Sequence, residues 1–148
     1  MSTENVELAA RIMSAMPLDD LAGAFRDPRR VEAMAATLES VVGPELEVIS
    51  VGPAYMGEGV VYRGLDGFLE FWTDWLEPWE SFSIETERFV DGGDKVVQLA
   101  RQTGWTQDEG VPVENEGAAV MTFRDGMLTR IEFHLDHERA LKAAGLAE

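Results

Sequence analysis

Three polar side chains that could act on a ligand, Arg101, Thr103 and Glu116, lie on neighbouring predicted strands. Counting from two turns places all three on one face of the sheet, which we interpret as the face turned toward the core. There the Arg101 guanidinium could donate hydrogen bonds to a carboxylate or an oxyanion, and the Glu116 carboxylate could act as a base. Alternatively, Arg101 and Glu116 form only a diagonal ion pair at the mouth of a pocket.

Two turns set the register of these strands. Asp125-Gly126 between two alternating runs predicts a tight hairpin. A second count starts from the polar loop TQDEGVP and, with its centre near Glu109, places Thr103 opposite Glu116. Together the counts send inward Val97, Leu99, Arg101, Thr103, Trp105, Glu116, Ala118, Val120, Thr122, Ile131, Phe133 and Leu135.

The other face of the last hairpin mixes apolar and charged residues. It carries Met121, Phe123, Leu128, Arg130, Glu132 and His134. Because no helix remains to cover this face, and exposed apolar patches often mark interfaces, Met121, Phe123 and Leu128 predict a homodimer through the outer sheet face.

Aromatic side chains are the second group that could bind a ligand. Phe68, Phe71, Trp72, Trp75 and Leu76 recur at helical spacing after Asp66, a pattern that is more often core than a binding box. Tyr55 on a loop and Trp105 near a strand end fit a pocket rim better. The predicted pocket is lined by Tyr55, Trp72, Trp75, Leu99, Arg101, Thr103, Trp105, Glu116, Val120 and Phe133.

The two histidines, His134 and His137, do not predict a metal site, since no third cluster of ligands accompanies them. His134 counts to the outer face and is interpreted as a surface or interface residue, and His137 as a solvated residue of the last helix. No glycine-rich phosphate motif precedes a helix. We therefore expect neither metal nor cofactor.

Composition excludes several classes of function. The chain of 148 residues predicts a single domain over 1–148, and its 28 acidic against 12 basic residues argue against nucleic acid or an anionic membrane as partner. Without cysteine, neither a disulfide nor a thiolate metal site can form. No apolar run approaches the ~20 residues that span a bilayer. The acidic start, MSTENVE, is unlike a signal peptide, so we expect a cytoplasmic protein.

The order of elements predicts an α+β fold. Three helical segments precede a strand at Glu45 to Val51, and an aromatic helix capped by Asp66 leads to four antiparallel strands from Phe82 onward. Asp27-Pro28 begins the third helical segment, and Asp136 caps a final helix.

Three motifs resemble a known family when taken in order. They are VYRGLDGFLEFWTDWLEPW, the stretch VENEGAAVMTFRDGMLTRIEFHLD and the ending HERALKAAGL. Together they resemble a SnoaL-like domain of the nuclear transport factor 2-like superfamily. The resemblance implies a cone: a curved antiparallel sheet wrapped around helices and an apolar pocket. It does not imply one function, because this fold hosts cyclases, isomerases, hydrolases and binding modules.

The catalytic acids of that superfamily do not map onto this sequence. The resemblance places Phe133 where SnoaL-type cyclases and limonene epoxide hydrolases have an aspartate on the last strand. Arg101 is kept from the hydrolase Arg-x-Asp, but Thr103 replaces its acid. Gly52-Pro53 stands where ketosteroid isomerases have Asp-Pro. Since phenylalanine cannot transfer a proton, we expect none of the known carboxylate-dependent reactions.

Two hypotheses about function remain. In the first, the protein is a cofactor-free pocket protein that binds, isomerises or cyclises a small apolar or polyketide-like metabolite. In the second, it is a non-catalytic dimerising or ligand-binding module whose cone is its own core. An open cavity of ~300 Å³ or more would favour the first, and a cone filled by its tryptophans the second.

Overall fold

The computed structural model describes residues 2–51, 61–106 and 112–146. Within these ranges lie five helices and six strands. They are α1 (Ser2–Ala15), α2 (Leu21–Phe25), α3 (Pro28–Leu38), β1 (Val42–Val51), β2 (Val61–Arg63), α4 (Gly64–Leu76), β3 (Trp79–Gly92), β4 (Lys95–Thr106), β5 (Pro112–Arg124), β6 (Met127–His134) and α5 (His137–Ala143). None of the helices in these ranges is long and apolar enough to cross a membrane.

One curved, unclosed sheet carries all six strands in the order β2-β1-β6-β5-β4-β3. Its pairs are antiparallel except β1 with β6, which run parallel. Helices α1 to α4 pack on one face, here called the inner face, and α5 packs on the opposite, outer face. The predicted α+β cone is confirmed.

Local sequence signals account for most helix ends. Asp27 caps α3 by accepting a hydrogen bond from the Arg29 backbone N–H, with Pro28 at the first helical position. Asp136 caps α5 in the same way. The predicted cap of the aromatic helix is wrong, because the N-cap of α4 is Arg63, three residues before Asp66, and Asp66 lies in the first turn. Gly64, the first residue of α4, has a φ of +71°, a value that few other residues adopt.

The last hairpin has the predicted turn but not the predicted register. Asp125 and Gly126 both adopt positive φ, which a two-residue hairpin turn of this type requires. Beyond the turn, Phe123 pairs with Leu128 but Thr122 pairs with Arg130. Thr129 is therefore an extra, bulged residue in β6, and its hydroxyl donates to the Thr122 carbonyl at 3.2 Å.

This bulge reverses the predicted assignment of β5. Met121, Phe123 and Leu128 are at most 4% exposed and belong to the main core, so the predicted outward apolar patch is wrong. Ile131 and Phe133 face inward as predicted. Homodimer formation itself stays a prediction, but it loses the patch on which it was based.

The second register count is also wrong, by two residues. Arg101 pairs directly with Glu116, and Thr103 with Glu114. The predicted centre of the connecting loop, Glu109, lies outside the described residues. Strand β4 turns Val96 and Gln102 toward the helices, whereas Arg101 and Thr103 lie on the outer face.

The inner face of the sheet is covered by the aromatic side of α4. The Phe71 ring stacks on the Phe133 ring at 4.5 Å between centroids and 7° between planes. It also contacts the rings of Trp72 at 5.3 Å, Trp75 at 6.3 Å and Tyr62 at 5.8 Å. The predicted helical stripe is thus the centre of the core.

We expect Phe71→Ala to lower the free energy of unfolding by about 3–5 kcal/mol, because it empties the centre of this ring cluster. Trp105→Ala is the matched control, since its ring is 40% exposed on the outer face and its loss should cost about 1 kcal/mol or less. Urea denaturation followed by circular dichroism measures both values. Equal losses in the two variants would contradict this description of the core.

Candidate functional site

A small cavity lies between α4 and the inner face of the sheet. Its volume is about 10 Å³, which is near the lower limit for one water molecule. Its wall consists of Ser50, Phe71, Trp72, Trp75, Gln102, Phe133, His134 and Leu135. The wall is therefore largely aromatic, with a few neutral polar groups.

Four elements bring these side chains together. Helix α4 supplies Trp72 and Trp75 from its buried stripe, because residues three apart lie on the same side of a helix. Strand β6 supplies Phe133, whose ring meets Trp72 edge-on at 5.1 Å. Strand β4 supplies Gln102, and β1 supplies Ser50, which pairs with Phe133.

Apart from His134 Nδ1, whose ring points to the outer face, two buried polar atoms of the wall residues have no hydrogen-bond partner among the described residues. They are the Nε1–H donor of Trp72 and the Oε1 acceptor of Gln102. Gln102 is only 9% exposed. A buried polar group without a partner costs roughly 1–3 kcal/mol, so two at one small cavity are unusual for a site that serves only packing.

Gly117 makes room for the Gln102 amide. It lies on β5, diagonally across from Gln102, and a Cβ at this position would stand 2.0 Å from Gln102 Nε2 and 2.5 Å from Cδ. Any larger residue would therefore displace the amide. The glycine holds the amide flat against the sheet beside the cavity.

His134 borders the cavity but directs its imidazole to the outer face, by the alternation of β6. Its Nε2 lies 3.2 Å from Glu132 Oε1, and Arg130 Nε donates to Glu132 Oε2 at 3.0 Å. The carboxylate thus accepts from Nε2, which leaves Nδ1, buried and without a partner in the described part of the chain, as an acceptor. His134 lies on the outer face as predicted, but at 6% exposure it is buried and is not a surface residue; its role at an interface stays a prediction.

The ion pairs extend from His134 across the outer face to the edge of the sheet. Arg130 also donates to Glu47 at 3.3 Å, and Arg63 on β2 donates to the other oxygen of Glu47 at 3.1 Å. Since Arg63, Arg130 and Glu47 are substantially exposed, each pair contributes little to stability.

The predicted site residues divide into three groups. Trp72, Trp75 and Phe133 border the cavity. Those predicted to face inward but found on the outer face are Leu99, Arg101, Thr103, Trp105, Glu116 and Val120. Tyr55 lies outside the described residues.

Three of these outer residues contact α5. Leu99 and Val120 form a second small core with Ala140 of α5. Glu116 Oε1 accepts the His137 backbone N–H at 3.0 Å, and the His137 ring nitrogen Nε2 lies 2.8 Å from the Ala100 carbonyl oxygen. His137 is consequently not the freely solvated residue that was predicted. Arg101 is exposed and has no hydrogen bond or ion pair within the described ranges.

The sequence analysis missed two polar residues of the cavity wall, Ser50 and Gln102, and the neighbouring Gly117. The signal was present for Gln102, because a glycine on the paired strand next to a bulky polar residue marks a close approach. The wrong register hid it by turning Gln102 outward.

Tyr62 stands beside the aromatic cluster and is the tyrosine with a strongly shifted pKa. Burial raises the pKa of Tyr62 from 10.0 to about 12, and the hydrogen bond to Asp74 Oδ2 at 2.7 Å and the negative charges of Asp74 and Glu70 add to this shift. The folded protein therefore favours the neutral phenol. Its contribution to stability is complete below pH 10 and is lost as the pH rises toward 12.

We expect a Tyr55→Phe variant, which leaves Tyr62 as its single tyrosine, to ionise with a midpoint near pH 12 when folded. Unfolded in denaturant, the same variant should titrate at about pH 10. Asp74→Asn should lower the folded midpoint, since it removes the charge. Ultraviolet absorbance of the phenolate measures the midpoints, and equal values in folded and unfolded protein would contradict the contact.

We further expect Gln102→Leu to raise the free energy of unfolding by about 1 kcal/mol, because it removes a buried acceptor that has no partner. Gln98→Leu is the matched control on the same strand and face. Gln98 is 4% exposed and donates to Thr86 Oγ1 at 2.8 Å, so its loss should destabilise by about 1 kcal/mol. Thermal and urea denaturation would compare them, and destabilisation by both would show that Gln102 is already satisfied.

Known proteins share this fold over nearly their whole length. TerC, co-crystallised with polyporic acid, is 23% identical, with a TM-score of 0.63 and coverage of 96% of this chain and 98% of TerC. A candidate SnoaL-like polyketide cyclase from Jannaschia sp. CCS1 is 20% identical, with a TM-score of 0.66, and the alignment covers 99% of this chain and 94% of that protein. A protein with a ketosteroid isomerase-like fold from Catenulispora acidiphila DSM 44928, in complex with trimethylamine, is 15% identical, with a TM-score of 0.59 and coverage of 91% of this chain and 92% of that protein.

Similarity in sequence is confined to the family level. None of the curated proteins matches the chain. A sequence profile of the SnoaL-like domain matches residues 25–131, which is more than half of the chain. The resemblance noted in the sequence is thereby confirmed, and the chain belongs to the SnoaL-like domain family.

Proposed function

We propose that this protein binds a small, largely apolar ring compound between α4 and the inner face of the sheet, without a cofactor. The observation that carries the proposal is the pair of unpartnered polar atoms, on Trp72 and Gln102, in an otherwise aromatic wall. Ligand sites typically combine such a wall with a few polar groups that orient the ligand. A ligand group that hydrogen-bonds to both atoms would recover the cost of burying them without a partner.

The size of the cavity sets a condition on binding. About 10 Å³ admits a water-sized group but not a ring. A ring ligand must therefore replace a side-chain ring, and Phe133 is the candidate because it is only partly buried and stands on the end of β6. Exchange of one ring for another would keep most of the stacking on Phe71 and Trp72.

Relatives of the same fold support a ring ligand. TerC is co-crystallised with polyporic acid, and the Jannaschia protein is a candidate polyketide cyclase. Isomerisation or cyclisation would require a proton-transferring group at the ligand. Among the described residues of the wall, His134 is the titratable one, and its imidazole faces outward; we therefore propose binding and not turnover.

A second candidate is a non-catalytic module in which the protein's own core side chains fill the interior of the cone and leave no ligand site. The close ring contacts of Phe71 with Phe133 and the small cavity favour it. It offers no use for the unpartnered atoms of Trp72 and Gln102. The first candidate predicts that a ring compound binds beside Ser50 in the cavity wall, and the second predicts that none does.

We expect wild-type protein to bind 2-naphthol or polyporic acid with a dissociation constant of roughly 1 mM or tighter in isothermal titration calorimetry. Ser50→Leu fills the cavity and should weaken binding at least about tenfold, since overpacking costs roughly 1–3 kcal/mol. Ser83→Leu, on the outer face, should bind as wild type does. No binding of either compound, or binding unaffected by Ser50→Leu, would favour the module whose cone is only its core.

A further inference from the structure

We propose that Gln102 Oε1 and Trp72 Nε1–H together recognise one hydroxyl group of the bound ring compound. This inference rests on the proposed function and names its polar specificity. A hydroxyl group both accepts and donates a hydrogen bond, and the two unpartnered atoms are one donor and one acceptor. An ether or a hydrocarbon satisfies at most one of them.

The volume of the cavity supports recognition of a single oxygen. Trp72 and Gln102 border the same space of about 10 Å³, which admits one water-sized group. A ring that replaces Phe133 would therefore place its hydroxyl, and no larger substituent, in this space. The neutral wall has no carboxylate in its described part and favours a neutral hydroxyl over a charged group, since an unpaired charge is costly to bury.

Gln98 shows what an ordinary buried glutamine looks like on this strand. Both Gln98 and Gln102 face the helices and are at most 9% exposed. Gln98 donates to Thr86, whereas the Gln102 amide lies over Gly117 with its oxygen unpartnered. Gly117 is thus a positioning residue, because it allows the amide to lie beside the cavity without contacting the ligand itself.

The decisive experiment compares 2-naphthol with its methyl ether, 2-methoxynaphthalene, by calorimetry. Transfer from water alone favours the ether, because the hydroxyl loses more hydration. Preference for naphthol therefore requires polar partners in the site. We expect wild type to prefer naphthol by roughly 3- to 10-fold, as one or two net hydrogen bonds imply.

Variants locate the source of this preference. Gln102→Leu and Gly117→Ala should each abolish it, the second by displacing an intact amide, and Trp72→Phe should reduce it. Gln98→Leu should leave it unchanged. Failure of both compounds to bind wild type would reject the proposed function and this inference with it. Equal binding of both by wild type, or a preference that survives in Gln102→Leu and Gly117→Ala, would reject only the recognition of the hydroxyl.

Discussion

The unpaired Thr129 in β6 decides which side chains of the last strands face the helices. A strand alternates its faces, so one extra residue exchanges the faces of everything beyond it. Leu128 before the bulge and Phe133 after it both point inward for this reason. In a regular strand that buried Leu128, the residues Arg130, Glu132 and His134 would enter the core, and the Phe71 ring would have no partner on β6.

The same bulge separates the charges from the cavity. Arg130 and Glu132 lie on the outer face, where they continue the ion pairs of Glu47 with solvent nearby. Burying those charges at the aromatic wall would cost far more than their pairing returns. The wall of the cavity is left with the neutral polar groups of Ser50 and Gln102, and the proposed function is therefore hydrogen bonding to a neutral ligand and not acid-base chemistry.

The sequence predicted features that depend on a few neighbouring residues. The Asp125-Gly126 turn, the Asp27 and Asp136 caps and the aromatic side of α4 follow from local geometry, and the order of elements sufficed for the fold class and the family. The bulge did not follow, because it depends on how two strands pair. The sequence shows the bulge only in the positions of Leu128 and Ile131, which both face the core. They are three residues apart, whereas successive residues on one face of a regular strand are two apart. The bulge also decides which residues of the neighbouring strands face the cavity. Because the sequence analysis lacked the bulge, it placed Gln102 on the outer face and Arg101 on the inner face.

Gln98 and Gln102 lie on the same face of β4 but differ in their hydrogen bonding. Leucine at either position would suit the inner face of a sheet, and Gln98 is retained at little cost because Thr86 satisfies it. Gln102 Oε1 has no such partner in the described part of the chain, and Gly117, which also weakens a strand, is needed to accommodate the amide. Gln102 on β4 and Gly117 on β5 are both unfavourable for stability, and both affect the position of the same amide beside the same cavity. Packing alone would select against both, whereas a requirement to bind a polar group at this position accounts for both together.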